Sequence, residues 1–524
     1  MDNSIRFKYV LTKFITNYYF LVIILVFILY ALLLIFRTSF VIGSTRYFSL
    51  FDDEMVSMRY AYNLAHGAGL VWNAGGERIE GITNPLWAFY MAIVHILPIS
   101  IEKTSLVIQL TGLGLFISTL YYIKKITAYL TNGSKFAIIL AVLLTAFYFP
   151  LLNWSIIQGT EVSVLTFLLT VSVWLLFKSL QDKKYTTLLF ILLGIGIWVR
   201  LDFFLPAVIL IIMMFLFNKH QKQKIVSNAI PIFLSFVFLQ IGMRYWYYHD
   251  IVPNTYYLKM TGYPILHRFT RGVYVTLQEF NLVLLMIPVV YTFLTRNKKL
   301  FILLTLFITQ LFYSMYVGGD AWEFFGGANR YVAIATPLLF ITLAYICNQL
   351  RQVAHKQFAT HLVRYRIAEI FCILFLFFTL NTGSDNMLLY LTMVKQYPTV
   401  GENANQTRVA KSLGAITKER ESIGIVMAGV TPYFLPNRIF VDLLGKSDRV
   451  IAHGESHRDA SGLKQYLVYL PGHTKWNYPY IVNHIKPDVF GQVWPDSEVV
   501  YLKKDYKKYI SKEGYPFYIL KNRK

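Results

Sequence analysis

The stretch FDDEMVSMRYAYNLAHGAGLVWNAGGERIEGITNPLW, residues 51–87, decides how the chain is organised, because it is a polar loop between long apolar runs. It opens with three consecutive carboxylates, Asp52, Asp53 and Glu54, shortly after a hydrophobic run has ended. A chain this apolar has few reasons to place a charge cluster beside the bilayer, and chemistry at the membrane surface is one of them. The stretch therefore predicts chemistry at the membrane surface.

The composition predicts a polytopic α-helical membrane protein. The 524 residues are 56% hydrophobic and 15% charged, whereas soluble domains have about 25% charged residues. Many apolar runs of roughly 17–22 residues recur, and such runs can cross a hydrocarbon core as helices. The net charge of +22 lies mostly in short loops and in the tail. This placement indicates control of topology and excludes nucleic acid as the partner.

The lysine and arginine positions predict eleven spans with the N-terminus in the cytoplasm and the C-terminus outside. The segment from Asn84 to Pro98 is short and ends in proline, so we expect an interfacial or re-entrant helix there. The two cysteines, Cys347 and Cys372, lie in or beside apolar segments and predict no disulfide framework. The predicted spans are roughly 14–36, 104–123, 136–152, 162–178, 185–199, 203–217, 226–245, 277–294, 299–317, 330–347 and 367–383.

These features divide the chain into two predicted domains. Residues 1–383 form a membrane domain whose outer loop, residues 37–103, carries interfacial helices. Residues 384–524 are hydrophilic, and we call them the C-terminal region. Within it, the runs IGIVMAG, RIFVDLLG, KPDVF and FYIL predict strands, and TPYFLPN predicts a turn. We expect a small α/β domain on the outer face.

The outer loops carry the candidate catalytic groups. A reaction that joins a hydroxyl to an activated carbon needs a base, for which Asp52 and Asp53 are candidates. A lipid-phosphate leaving group needs cations, for which Arg244, Lys259 and Arg330 are candidates. Each group also has another interpretation. The acidic run could be a solvated face, and the arginines could anchor helix ends at the membrane surface. Arg200 and Asp202 could likewise form only an ion pair.

Several segments together carry a family resemblance. The string DDEMVSMRYAYNLAHGAGLVWNAGGERIEGITNPLW resembles the first outer loop of GT-C glycosyltransferases close to the mycobacterial terminal arabinofuranosyltransferase family. The segments YYHDIVPNTYYLK and GGD are similar to that family as well. So are two tail segments, MAGVTPYFLPNRIFVDLLG and PGHTKWNYPYIVNHIKPDVF. The resemblance covers most of the chain, and the first loop is its most specific part.

The resemblance implies a sugar donor linked to polyprenyl phosphate, with a first-loop aspartate as the base. It implies transfer of a sugar, for which a pentofuranosyl unit such as arabinose is one candidate, to a cell-envelope glycan or lipid on the outer face of a bacterial inner membrane. Asp52 is slightly favoured as the base because it begins the motif. A divalent cation, Mg²⁺ or Mn²⁺, is left open as a cofactor. The predicted substrate-binding residues are Arg59, Glu80, Asn84, Trp87, Arg200, Arg244, Asn254, Lys259, Asp320 and Arg330, with Trp72, Trp87 and Trp322 as stacking platforms.

Two other functions compete with the enzyme. A transporter or flippase of the lipid-linked sugar predicts ionisable residues at mid-bilayer and symmetry between halves, whereas the charges here gather at the outer ends of the spans. A non-catalytic polysaccharide-assembly protein is the other alternative. The sequence favours the glycosyltransferase.

Overall fold

The computed structural model describes residues 3–218, 222–323, 329–357, 362–381, 387–457 and 462–523, and most of them are helical. The first helices are α1 Asn3–Thr38, α2 Asp52–Ala65, α3 Pro85–Ile96, α4 Ile101–Leu130, α5 Lys135–Ala146, α6 Phe149–Leu152, α7 Val162–Ser179, α8 Tyr185–Val199 and α9 Phe204–Phe217. They continue with α10 Lys222–Lys224, α11 Ile230–Tyr248, α12 Asn254–Met260, α13 Ile265–Glu279, α14 Leu282–Thr295, α15 Lys298–Val317, α16 Arg330–Ala333, α17 Thr336–Gln357, α18 Leu362–Asn381 and α19 Met387–Leu391.

Each of the eleven predicted spans overlaps a helix, but fewer helices meet the length and apolarity of a full span. Among the described residues, five helices are long and apolar enough to cross a membrane. The number rises to seven if each of two bent helix pairs, α5 with the helical segment 149–157 and α13 with α14, is one span. Shorter apolar helices, among them α8 and α9, account for further predicted spans. The number eleven stays a prediction.

The first outer loop, residues 37–103, contains helices α2 and α3 and a small hairpin. Strands β1 Phe40–Ile42 and β2 Thr45–Tyr47 pair antiparallel. The three acidic residues occupy the first turn of α2, where negative charge interacts favourably with the helix dipole. Pro85 begins α3, a position at which proline costs no helical hydrogen bond. Most residues of α2 are buried in the protein, and its position along the membrane surface stays a prediction.

The elements of the C-terminal region are α20 Pro398–Ile416, β3 Ser422–Ile425, α21 Val430–Phe434, β4 Ile439–Asp442, α22 Arg449–His453, α23 Tyr478–Tyr480, β5 Val489–Phe490, β6 Tyr506–Ile510 and β7 Pro516–Leu520. The strands form a five-stranded mixed sheet with strand order β4-β3-β5-β7-β6. β3 pairs parallel with β4 and β5, and the other pairs are antiparallel. The four predicted runs overlap β3, β4, β5 and β7, whereas β6 was not predicted. The predicted turn TPYFLPN, residues 431–437, overlaps the short helix α21.

The C-terminal region packs directly on the first outer loop. A large core lies among the apolar helices. A second core combines side chains of the first outer loop, such as Tyr60 and Trp72, with strand residues such as Ile423 and Phe440. A third joins α2 and α3 to Val430 and Tyr433 of α21. The two predicted domains therefore share hydrophobic cores, because each covers apolar side chains that the other would leave exposed.

Candidate active site

Asp53, on the first turn of α2, is the centre of a buried charge cluster. Its Oδ2 lies 3.0 Å from Nη2 of Arg330, and its Oδ1 accepts a hydrogen bond from Nζ of Lys446. Burial alone would raise the pKa of the Asp53 carboxyl. The charges of Lys446, Arg330 and Lys259, with the Lys446 hydrogen bond, outweigh burial and hold that pKa well below its usual range. Asp53 is therefore ionised at neutral pH.

Asp52 makes different contacts from its neighbour. Its Oδ1 accepts hydrogen bonds from the backbone N–H groups of Gly429, at 3.1 Å, and Val430, at 2.9 Å. These groups belong to the N-terminal end of α21, whose first N–H groups have no partner within the helix. Burial raises the pKa of Asp52 to about 6, although Lys446 and the Val430 N–H oppose the rise. Asp52 thus joins the first outer loop to the C-terminal region.

Two of the predicted cations act on Asp53: Arg330 pairs with it, and Lys259 lies close enough for its charge to affect the carboxyl. Nε of Arg330 lies 2.6 Å from Oδ2 of Asp320, and its guanidinium lies 5.4 Å from the ring centre of Trp154. Lys259 is on α12, close enough for the charges of Arg330, Asp53 and Asp320 to affect it. Burial, with the charge of Arg330, lowers the pKa of Lys259 to about 8. An anion placed here would restore the full charge of this lysine.

A second group of carboxyls surrounds Asn84. Its Nδ2 donates to Oε2 of Glu54, at 3.0 Å, and to Oε2 of Glu161, at 2.9 Å. Arg200 pairs with Glu161 at 2.6 Å and with Asp202 at 3.0 Å. Burial and the negative charge of Glu161 raise the pKa of Glu54 well above its usual range. Glu54 therefore holds a proton at neutral pH and Glu161 carries the charge.

The solvated-face interpretation of the acidic run is wrong. Asp52 is 5% exposed and Glu54 is 2% exposed, and the Asp53 side chain is 17% exposed. The ion pair between Arg200 and Asp202 is present, but Glu161 also binds the arginine. The first-loop carboxyl groups are thus largely buried, and each has polar partners, because an unpaired charge away from water is costly.

Glu80, Arg244 and Asn254 lie together beside an apolar cavity. Nε of Arg244 lies 2.5 Å from Oε2 of Glu80, and both side chains are buried, so Arg244 is not a solvent-facing anchor. The Asn254 N–H donates to the carbonyl oxygen of Glu80 at 3.0 Å. The cavity has a volume of about 260 Å³. Glu80 and Arg244 line it with apolar side chains that include Leu70, Phe89, Trp198, Met243 and Trp246.

Three of the predicted ligand residues are instead bonded within the protein. Arg59 is 1% exposed and donates to the carbonyl oxygens of Trp72, at 2.6 Å, of Arg438, at 3.0 Å, and of Pro432. The indole N–H of Trp87 donates to the Gly159 carbonyl at 3.1 Å, and that of Trp72 donates to the Ala428 carbonyl at 3.2 Å. All three side chains are buried. Trp322 differs, because it is half-buried and contacts His473 edge-on.

Four residues of the site are absent from the predicted set. Glu54 stands in the acidic run, and Glu161 has no signal in the sequence around it. Lys446 directly follows VDLLG, and His473 ends the PGH segment; both motifs are visible in the sequence, yet neither indicates a position beside Asp53. Burial, followed by the charge of Lys446, lowers the pKa of His473 to about 4, so its imidazole is neutral at neutral pH.

The contacts of Asp52 and Asp53 do not fit a divalent cation held between them. Both oxygens of Asp53 contact cationic side chains, and Oδ1 of Asp52 accepts two N–H groups. Among the residues that the structure describes, no group of three or more His, Cys, Asp or Glu side chains is arranged to hold a metal ion. We therefore assign no chemical step to a metal.

Comparison with solved structures shows that the whole chain has a known fold. ArnT from Cupriavidus metallidurans in the apo state aligns with 95% of this chain and 97% of its own, with a TM-score of 0.54 and 12% identity. The same protein bound to undecaprenyl phosphate aligns with a TM-score of 0.53, 12% identity and the same coverage. The oligosaccharyltransferase AglB from Archaeoglobus fulgidus, in complex with an inhibitory peptide and a dolichol-phosphate, aligns with 97% of this chain and 75% of its own, with a TM-score of 0.53 and 11% identity.

These alignments show that the chain has the GT-C fold, and the five described helices that are long and apolar enough to cross a membrane are consistent with a multi-pass membrane protein. Residues 395–518 match the family described as "Domain of unknown function (DUF8728)". No curated protein matches the chain. The narrower resemblance to arabinofuranosyltransferases and the catalytic role of a first-loop aspartate stay predictions.

Proposed function

We propose that the protein is a membrane glycosyltransferase that moves a sugar from a polyprenyl-phosphate donor to a hydroxyl group of a cell-envelope glycan or lipid. The observation that carries this proposal is Asp53, a largely buried carboxylate of the first outer loop that lies among Lys446, Arg330 and Lys259 in a GT-C fold. The carboxylate supplies the proton acceptor that the reaction needs, and the cations around it supply positive charge for a phosphate leaving group.

Arg330 and Lys259 are the proposed phosphate ligands from the membrane domain. As the bond between the sugar C1 and the phosphate oxygen breaks, its electron pair stays on the phosphate, which gains negative charge. A planar guanidinium can bind two phosphate oxygens at once. Lys259, with its pKa lowered to about 8, gains most from a second anion because burial otherwise disfavours its charge.

Asp53 is the proposed base, and Asp52 is a positioning residue. In the ligand-free state, Asp53 is a weak base because Arg330 and Lys446 bind it. A donor phosphate would draw these cations away and place negative charge near Asp53, and both effects raise its pKa. The acceptor oxygen then bonds to C1 while its proton passes to Asp53. Asp52 is less suited to this role because α21 occupies its Oδ1.

The apolar cavity beside Arg244 is the proposed site for the polyprenyl chain. Its tryptophan, methionine and leucine side chains suit an isoprenoid. A chain of contacts joins it to the charge cluster: Glu80 lines the cavity, and Asn254 bonds to both the Glu80 and the Lys446 carbonyl oxygens. ArnT bound to undecaprenyl phosphate and AglB in complex with a dolichol-phosphate support this class of ligand.

The narrower proposal, from the resemblance of the first loop, is that the sugar is a pentofuranosyl unit such as arabinose. The active site and the C-terminal region would face outward from a bacterial inner membrane. The gathering of charged residues on the first outer loop supports a transferase over a flippase, which needs ionisable groups along a path through the membrane.

Transfer in lipid nanodiscs tests the proposed function. The wild type should move radiolabelled sugar from a matching polyprenyl-phosphate donor to an envelope-glycan acceptor, and Asp53→Asn should not. Glu77→Gln is the matched control, because Glu77 is an acidic residue of the same loop whose side chain is 63% exposed. Donor movement across the bilayer without a glycosylated product would favour the flippase. Equal transfer by the Asp53→Asn and Glu77→Gln variants would remove Asp53 from the chemistry.

A further inference from the structure

Three separate segments of the C-terminal region meet at the first-loop carboxylates. The first, at Gly429, places the start of α21 on Asp52. The second brings Nζ of Lys446 to Asp53. The third, which ends in His473, lies near enough to Asp53, Lys446 and Lys259 for their charges to act on the imidazole. The first and third segments lie within the tail motifs MAG and PGH, and Lys446 of the second directly follows VDLLG.

Two glycines allow this close approach. A Cβ atom at Gly429 would overlap the backbone oxygen of Asp52, so a larger residue would push α21 away from the carboxylate. Gly472 has a φ of 81°, a conformation that favours glycine, and a Cβ there would lie 3.2 Å from Cε of Lys259. The backbone of the C-terminal region is thus fitted to the membrane domain at the atoms of the site.

Lys446 is held in place as a charged group. It is 8% exposed, and Nδ2 of Asn254 donates to the backbone oxygens of Gly445 and Lys446, at 3.0 Å each, and of Asp448 at 3.2 Å. Burial tends to lower the pKa of Lys446, but Asp53 and Asp52 more than offset it and raise that pKa. A buried cation so close to the proposed base is a costly arrangement unless its charge has a use.

We infer that the segment matched as a domain of unknown function is a part of the transfer site, and that its Lys446 binds the phosphate of the lipid-linked donor. This inference rests on the proposed function. In the ligand-free state Lys446 neutralises Asp53. When the donor is bound, Nζ of Lys446 donates a hydrogen bond to a phosphate oxygen and keeps its three protons. Its charge stabilises the negative charge that the phosphate gains as the C1–O bond breaks. The acceptor proton goes to Asp53, which Lys446 has released.

Lys475 provides a matched control. It is also a buried lysine of the C-terminal region, but its Nζ donates to the backbone oxygens of Ala452, at 2.7 Å, and Tyr257, at 3.0 Å, and to the Thr261 hydroxyl at 3.1 Å. Its contacts hold the fold together without touching the carboxylates of the site. Lys446→Met and Lys475→Met therefore remove the same charge with different expected consequences.

Binding of a short-chain polyprenyl phosphate to the full protein in nanodiscs is the test, beside the transfer assay. Lys446→Met should weaken binding by at least about 30-fold, as loss of a buried charged contact does, and Lys446→Arg should restore most of it. Lys475→Met should bind as the wild type does, at whatever thermal stability it retains. The Lys446→Met variant should also shift the acidic limb of the kcat/KM profile to higher pH, because Asp53 loses a cation.

The outcomes separate the two claims. If the wild type fails to bind polyprenyl phosphate, the proposed function fails. If the wild type binds it and Lys446→Met binds it equally well, the function stands and the role of Lys446 is refuted. If Lys446→Met unfolds, the Lys446→Gln variant decides, because its amide can still donate a hydrogen bond to Asp53 but carries no charge. A folded Lys446→Gln variant that binds the phosphate at least about 30-fold more weakly than the wild type supports the inference, and one with unchanged affinity overturns it.

Discussion

Asp53→Asn should abolish transfer and leave the protein folded. Asparagine has nearly the same shape, but it cannot accept the acceptor proton, and general-base assistance contributes about 10²–10⁴-fold. Breaking a buried ion pair costs about 3–5 kcal/mol when the remaining charge has no other partner. Here Arg330 keeps Asp320 at 2.6 Å, and Lys446 keeps the field of Asp52. We therefore expect a lower loss of about 2 kcal/mol in the free energy of unfolding.

Asp52→Asn should have a smaller effect than Asp53→Asn on both transfer and stability. The amide oxygen of asparagine can still accept from the N–H groups of Gly429 and Val430, so the variant loses only the strengthening that a charge gives these bonds. We expect a stability loss of about 1 kcal/mol and transfer within about 10-fold of the wild type, because the base is retained.

Single-turnover transfer in nanodiscs, with the lipid donor pre-bound, measures the chemical step in both variants. Thermal unfolding of the same samples measures stability, and Glu77→Gln is the control for loss of a first-loop charge. Transfer by Asp53→Asn at the wild-type rate, together with a loss of at least about 100-fold in Asp52→Asn, would refute the assignment and make Asp52 the base.

The other predictions concern the carboxyl pair, the lysine and the topology. Glu54→Gln should leave thermal unfolding nearly unchanged because Glu54 already holds a proton. Glu161→Gln should lower the free energy of unfolding by close to the lower end of about 3–5 kcal/mol, because it removes a partner of the buried Arg200. Equal losses in the two variants would contradict the assignment of the proton to Glu54 and of the charge to Glu161. The KM for the lipid donor should rise above about pH 8 as Lys259 loses its proton, and Lys259→Arg should remove that rise; a persistent rise would assign it to another group. A cysteine at Gly67 should react with a membrane-impermeant reagent from outside and one at Lys183 should not, and labelling at Lys183 would overturn the predicted orientation.

Much of the fold was predictable because it depends on local composition. Long apolar runs predict helices, and a helix overlaps each predicted span. Short apolar runs between turn residues predict strands, and four of the five strands of the C-terminal sheet were found in this way. The strand β6, with the lysine-rich sequence YKKYI, was missed because only its first residue is buried. An edge strand with both faces exposed leaves no hydrophobic pattern to recognise.

The candidate site was predictable as a region, and its individual roles were not. The sequence placed the acidic run beside the membrane and identified Lys259, Asp320 and Arg330 as polar groups of outer loops. It also selected Arg59 and Trp87, whose hydrogen-bonding groups are bonded to backbone oxygens. Which polar side chains bind backbone oxygens and which remain available to a ligand depends on where distant carbonyl groups lie.

The sequence by itself determined that this is a membrane protein with a charged first outer loop and a hydrophilic C-terminal region, because hydropathy and charge are properties of neighbouring residues. Only the tertiary structure distinguished Asp52 from Asp53. The two are adjacent in the chain and chemically identical, and their partners, Val430 and Lys446, follow them by 378 and 393 residues. Successive side chains of a helix point in directions about 100° apart. The C-terminal region therefore gives Asp52 two backbone N–H groups, whereas Asp53 lies between Lys446 of that region and Arg330 of the membrane domain.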